Sequence, residues 1–289
     1  MRIISLFIIL SVVSGVSLYS PAHAQSDATK KALEDVKDSV STLIIVKDEE
    51  NQNGIAFRIE AFKKVIDFSI AEAKDLKIKL LALDVKKLST STNIWGSEAM
   101  KKLDSALEYY DTEKSFMKEH EGEITLEEIK DRAESFKMWR EKTYLPAANQ
   151  INEYFLVEQQ KQALETTENR TEKVRADIEK LKKARIKTWE LQKMISKVDI
   201  LVKNAQELND RAATLFYETR VLPLLPDEHI KITNEETERA TSSATSTATG
   251  EAEKKPPSSI EDLAKESFAR VKDVYRIFID MSNLVNKLL

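Results

Sequence analysis

Residues 181–216 read LKKARIKTWELQKMISKVDILVKNAQELNDRAATLF. Leu181, Ala184, Thr188, Leu191, Ile195, Val198, Val202, Ala205, Asn209, Ala212 and Phe216 follow one another in alternating steps of three and four. That spacing places them on one stripe of an α-helix and matches the seam of a supercoiled pair. No Gly or Pro falls between Thr171 and Leu222. The reading is therefore one helix over 171–222, on the order of 75 Å long at about 1.5 Å per residue. Asn209 lies on the seam, where a buried Asn would fix register by demanding a polar partner and a partly exposed one would not.

Pro223 and Pro226 end this helix. Beyond them, Thr237–Ser259 is dominated by Thr, Ser, Ala and Glu, too poor in apolar residues to pack, so 227–259 reads as a flexible linker. A coil of that size reaches roughly 25–30 Å. Ser258 and Glu261 then form a capping-box pattern that opens a last helix over 260–289. Its stripe holds Ile260, Ala264, Ser267, Val271, Val274, Phe278, Met281, Val285 and Leu288, widened by Phe268, Tyr275, Ile277, Ile279 and Leu284. So much apolar surface needs a cover. Residues 181–216 could supply it, as could a second copy or another protein, and the candidate partner-binding residues are Phe268, Val271, Val274, Tyr275, Phe278, Met281, Val285 and Leu288.

Toward the N-terminus the same period recurs. Leu33, Val36, Val40 and Leu43 form one stripe, and Ile59, Phe62, Ile66, Ser69, Ala73, Leu76, Leu80 and Leu83 a second, separated by Asn51-Gln52-Asn53-Gly54. The polar run 89–93 ends the second helix, and Gly96 opens a third on Met100, Leu103, Leu107 and Tyr110, stopping near Gly122. Thr125 with Glu128 is a capping box for a fourth, carrying Leu126, Ile129, Ala133 and Phe136. Pro146 should kink that helix or start a new one, with Ile151, Tyr154 and Phe155 resuming burial. The polar stretch 158–171 reads as continuous helix.

These spacings predict an all-α chain: an elongated antiparallel helical bundle over 25–158, a long coiled-coil-like helix over 159–226, the linker 227–259 and the C-terminal helix 260–289. The composition agrees, with 33% charged and 7% aromatic residues and only five Gly and six Pro.

Residues 1–24 carry Arg2, an apolar run from Ile3 to Tyr19 and Ala22-x-Ala24 before Gln25, the pattern of a cleavable signal peptide. The chain is therefore expected to be secreted, to a periplasm or the extracellular space. Removing 1–24 takes away one charge, Arg2, so the net charge of −4 becomes −5. Cations and carboxylates alternate, which speaks against nucleic-acid binding, and no later segment suits stable membrane insertion. With no Cys, neither disulfides nor thiolate metal sites are possible.

A search for chemistry returns little. His120 and His229 have no second His at ligand spacing, and positions 117 and 226 are Met and Pro where a di-iron bundle needs Glu. Glu127, Glu128 and Asp131 read as first-turn carboxylates opposing a helix dipole. Lys180, Lys182, Lys183, Arg185 and Lys187 read as a solvated face bracketed by Glu179 and Glu190. Asn169-Arg170-Thr171 fits a glycosylation acceptor. The expectation is a non-catalytic protein with no cofactor: a scaffold or protein-interaction module acting through its helices on a protein partner or on itself. The alternative is a ligand-binding or sensory bundle holding a small molecule near Trp95 or Trp139.

Overall fold

A computed structural model describes residues 26–45, 52–83, 89–120, 122–225 and 259–288. Among these the chain is all-α, with six helices and no strand. They are α1 Asp27–Ile45, α2 Gln52–Leu81, α3 Thr90–Glu119, α4, α5 Trp189–Phe216 and α6 Ile260–Leu288. The fourth is a joined helix of 58 residues, made of Leu126–Trp139, a π turn Arg140–Tyr144 and Leu145–Lys183. A π turn Tyr217–Val221 and a 3₁₀ turn Leu222–Leu224 follow α5. The expected signal peptide 1–24 and, apart from Ser259, the expected linker lie outside the described residues.

The described chain divides into two compact units between Asn152 and Glu153, slightly before the expected boundary at 158. In the first unit the expected stripes are buried: Val36, Val40 and Leu43 on α1, and Ile59, Phe62, Ile66, Ser69, Ala73, Leu76 and Leu80 on α2. On α3 the buried line is Trp95, Ala99, Leu103, Ala106, Tyr110 and Met117, so the expected Met100 and Leu107 only flank it. Lys77 pairs with Asp104, and Lys114 with Asp67 at 2.6 Å, which makes α2 and α3 antiparallel. Arg132 meets Glu113 at 3.1 Å, setting α3 against the first part of α4.

The second unit is a three-helix bundle built from the rest of α4, α5 and α6. Arg220 with Glu153, Gln206 with Glu168 and Arg175 with Asp199 pair falling with rising numbers, so α4 and α5 form an antiparallel hairpin. Helix α6 covers it. Val274, Phe278 and Met281 share one core with Ile178, Leu191, Ile195, Val198 and Val202. Farther along, the Ser267 hydroxyl donates to the Ala205 carbonyl at 2.6 Å and accepts from Gln160 Nε2 at 2.9 Å. Asn209 is 4% exposed, and its Oδ1, like Gln160 Oε1, is a buried acceptor with no donor among the described residues.

The single helix expected over 171–222 is corrected: the chain leaves helix at 184–188 and turns back. Arg185 takes φ 60°, its N–H donates to the Lys182 carbonyl, and the Ile186 N–H reaches back to Leu181. This pair of bonds is the Schellman ending, in which the left-handed position is ordinarily Gly. Because Arg fills it here, the sequence carries no breaker to read. From Leu191 onward every expected seam residue is buried, whereas Ala184 is exposed in the turn.

Other helix ends shift for local reasons. Ser89 caps α3, its Oγ accepting from the Thr92 N–H at 3.1 Å, so the polar run begins that helix and Gly96 lies inside it. Likewise α2 starts at Gln52, with Gly54 inside. Ser259, one residue beyond the expected Ser258, caps α6 by accepting from the Asp262 N–H at 3.1 Å. The Thr125–Glu128 capping box forms with both of its bonds, and the Thr125 backbone N–H and hydroxyl, donating to the Glu128 carboxylate, hold it below its ordinary pKa.

Pro146 does not break α4. Proline lacks an N–H, and its ring would strike the carbonyl four residues back. The widened π turn removes that conflict, with Leu145 donating five residues back to Arg140. The same arrangement, a π turn, then Leu, then Pro, recurs at Tyr217–Val221 before Leu222 and Pro223.

Arg185→Gly should raise stability by about 0.5–1 kcal/mol, because Gly takes the left-handed conformation without a Cβ clash. Arg185→Val should lower it. Urea denaturation of the two variants checks both signs, and a loss of stability with Gly would exclude the left-handed turn.

Candidate functional site

Two places concentrate chemistry, one in each unit. The first surrounds Arg140, which is 3% exposed. Its position follows from helical spacing: Ile129, Ala133, Phe136 and Arg140 succeed one another in steps of four, three and four on the buried face, and Tyr144 joins them across the π turn. Arg140 Nη1 donates to Ser69 Oγ at 2.8 Å and to the Tyr110 hydroxyl at 3.4 Å, while Nη2 pairs with Glu72. The Ser69 hydroxyl in turn donates to the Val65 carbonyl at 2.8 Å. The guanidinium lies 4.8 Å from the Tyr144 ring centroid. Around it Tyr110 touches Phe136, Trp139 and Tyr144 at 5.3, 5.6 and 5.8 Å between centroids.

Burial works against the charge on Arg140, but the Glu72 carboxylate beside it outweighs burial and holds the group protonated. Burial, helped by the Glu72 carboxylate, pushes the Tyr110 and Tyr144 hydroxyls upward. Tyr109 is pushed up to about 12 by burial and Glu113. All three phenols stay neutral at physiological pH. Arg140, Ser69, Glu72 and Tyr110 are bonded to one another, and their effect is to lock α2, α3 and α4 in one register. Sequence reading missed Arg140. Ser69, a lone polar residue on an apolar stripe, was the available signal.

The second place is a groove between α4 and α6 within the second unit, with a cavity volume of 630 Å³. Phe268, Tyr275 and Ile279 line it from α6 and Gln159, Ala163 and Thr166 from α4. Phe268 is 45% and Ile279 62% exposed. Lys272 lies over the Phe268 ring at 5.0 Å, and Arg170 over Tyr275 at 5.4 Å. Burial of the seam explains the groove: α6 is apolar around more than half of its girth, and the hairpin covers only part of that arc.

The eight candidate partner-binding residues separate accordingly. Val271, Val274, Phe278 and Met281 are buried against their own chain. Val285 packs on the same core, Leu288 is exposed at the helix end, and Phe268 and Tyr275 face the groove, with Val271 at its floor. The apolar residues left open on α6 therefore lie along its outer edge and not on the heptad stripe read from the sequence.

The remaining candidates are placed as follows. Trp95 is buried and Trp139 stacks on Tyr109 at 4.1 Å, so the rings proposed for a small-molecule pocket are occupied by packing. His120 stacks on Phe116, and His229 lies outside the described residues. Among the described residues no group of three or more His, Asp or Glu is placed to hold a metal ion, and no helix is long and apolar enough to cross a membrane. Asn169 is exposed, but Thr171 of the acceptor pattern is buried and bonded to the Thr167 carbonyl.

The Arg140 network gives an asymmetric prediction. Glu72 is 24% exposed at its side chain and Arg140 only 4%, so losing Glu72 strands a cation that water cannot reach. Glu72→Ala should cost about 3 kcal/mol and Arg140→Met about 1–2 kcal/mol, since the remaining carboxylate can hydrate. Thermal and urea unfolding of the two variants decide it; equal costs would refute the asymmetry. Comparison with protein-family models, curated proteins and solved structures finds no match for this chain.

Proposed function

We propose that the chain is an exported, non-catalytic protein-interaction module of the cell envelope or extracellular space. The groove between α4 and α6 carries this reading. Large apolar side chains at Phe268 and Ile279 stand open beside Tyr275, flanked by Gln159, Gln162 and Thr166, which offer hydrogen bonds. An apolar floor with a polar wall is the anatomy of a partner surface, and two neighbouring helices suit a third laid between them. Residues 1–24 supply the export signal.

A photo-crosslinking residue placed at Thr166, on the groove wall, should give an adduct with another protein in the host's own envelope. The same residue at Ile200, which is 62% exposed on α5 outside the groove, should not. Ile279→Glu should reduce the adduct at least tenfold, because a partner would have to desolvate the new charge. No protein adduct from 166, or equal adducts from 166 and 200, would remove the proposal.

A further inference from the structure

The turn at 184–188 changes the meaning of the basic run. On one straight helix, Lys180, Lys182, Lys183, Arg185 and Lys187 would spread around a solvated cylinder. In the folded chain the helix ends at Lys183, and Arg185 and Lys187 lie in the hairpin turn, all exposed. Trp189 stands at the first position of α5 and is 62% exposed, although Trp is the side chain with most to gain from burial. The C-terminal end of α6 reaches the same end of the bundle, since Leu284 and Val285 pack with Leu181 against the core that holds Leu191. One turn farther, Lys287 is exposed and Leu288 is 39% exposed.

Charge at this end is one-sided. Lys180 is met by Asp177 at 2.7 Å and Lys182 by Glu179 at 3.7 Å. Glu190 sits in the first turn of α5, where it opposes the helix dipole. Lys183, Arg185, Lys187 and Lys287 remain as exposed cations at the end of the bundle that also carries Trp189 and Leu288. An exposed indole with an apolar body and a polar N–H, at the same end as unpaired lysine and arginine, matches the boundary between lipid headgroups and acyl chains. A protein groove would instead offer a cavity, and base stacking would call for further rings beside the first.

We infer that the α4–α5 hairpin tip, with Trp189, Lys183, Arg185 and Lys187, and with Lys287 at the same end of the bundle, is a peripheral docking surface for anionic lipid membranes. The contact is reversible and shallow. Trp189 and Leu288 enter the interface, and the cations meet lipid phosphates. This surface is separate from the α4–α6 groove, so either can fail without the other.

The test uses residues 25–289, which contain every described helix, with vesicles of equal phosphatidylglycerol and phosphatidylcholine and vesicles of phosphatidylcholine alone, in about 0.1 M salt. Cosedimentation should show binding to the anionic vesicles only. Bromine-labelled acyl chains should quench tryptophan emission in the unmodified chain and not in Trp189→Phe. Each cation near an anionic surface contributes about fivefold in partitioning, so the triple variant K183Q/R185G/K187Q should bind on the order of 100-fold more weakly. Gly at 185 keeps the turn, and far-ultraviolet circular dichroism confirms that the helices persist. Equal binding to both vesicles, undiminished binding of the triple variant, or quenching that survives Trp189→Phe would each overturn the inference. So would equally tight binding to a single-stranded oligonucleotide, which would make the tip a general polyanion patch.

Discussion

The apolar face of α5 is the constraint on which the second unit depends. Leu191, Ile195, Val198, Val202 and Ala205 form a line that a single neighbouring helix cannot close. Burying side chains of this size is worth about 1.5–3 kcal/mol each, which is ample reason for the chain to bring two helices to one stripe. The arm of α4 after Glu153 supplies one wall through Leu164 and Ile178, and α6 supplies the other through Val271, Val274, Phe278 and Met281. Two other features of the unit follow from that closure: the return of α6 across a long intervening segment, and the groove left where the arc of α6 exceeds what the hairpin can cover.

Apolar burial does not select a register, because a stripe can slide by a turn and still be covered. Each unit answers with a polar device inside its core. In the second unit the Ser267 hydroxyl bridges Gln160 and the Ala205 carbonyl, joining all three helices at one level. In the first, Arg140 joins α2, α3 and α4 through Ser69, Glu72 and Tyr110. Such groups add less to stability than apolar residues of equal size, but any shift of register strands them, and that penalty favours one arrangement over its neighbours. Asn209 has the seam position of a register residue, yet its Oδ1 finds no donor among the described residues, so Ser267 performs the role and Asn209 carries only the cost.

What could be read from the sequence was what periodicity encodes. The stripes of α1, α2 and α5, the capping box at Thr125 and the all-α class depend on local spacing, and the structure keeps them. The features that escaped reading have causes that spacing does not express. A left-handed Arg185 leaves no Gly to see, and a π turn ahead of Pro146 turns an apparent breaker into a joint. Arg140 continues the spacing of Ile129, Ala133 and Phe136, and it escaped because a cation at such a position resembles a surface one. The candidate surface on α6 was legible as apolar excess, but periodicity ranks residues by helix face and does not say which part of a wide face a neighbour will take. The structure assigns the heptad stripe to the core and leaves Phe268, Tyr275 and Ile279 outside it.

That division bears on what the second unit can do. A helix held only by its heptad stripe would have to leave the bundle to meet a partner, exposing Val271, Val274, Phe278 and Met281 at a cost of several kcal/mol. With the outer edge already open, recognition needs no such release. The groove can be preformed and rigid, because the residues that hold α6 in place differ from those that face outward. The hairpin tip is independent for the same reason, since the Schellman turn that exposes Arg185 and Trp189 is fixed by backbone bonds to Lys182 and Leu181 and does not draw on the core. Residues on the groove and on the tip can therefore be altered without unfolding the core, which is the physical property that the proposed interaction module would require.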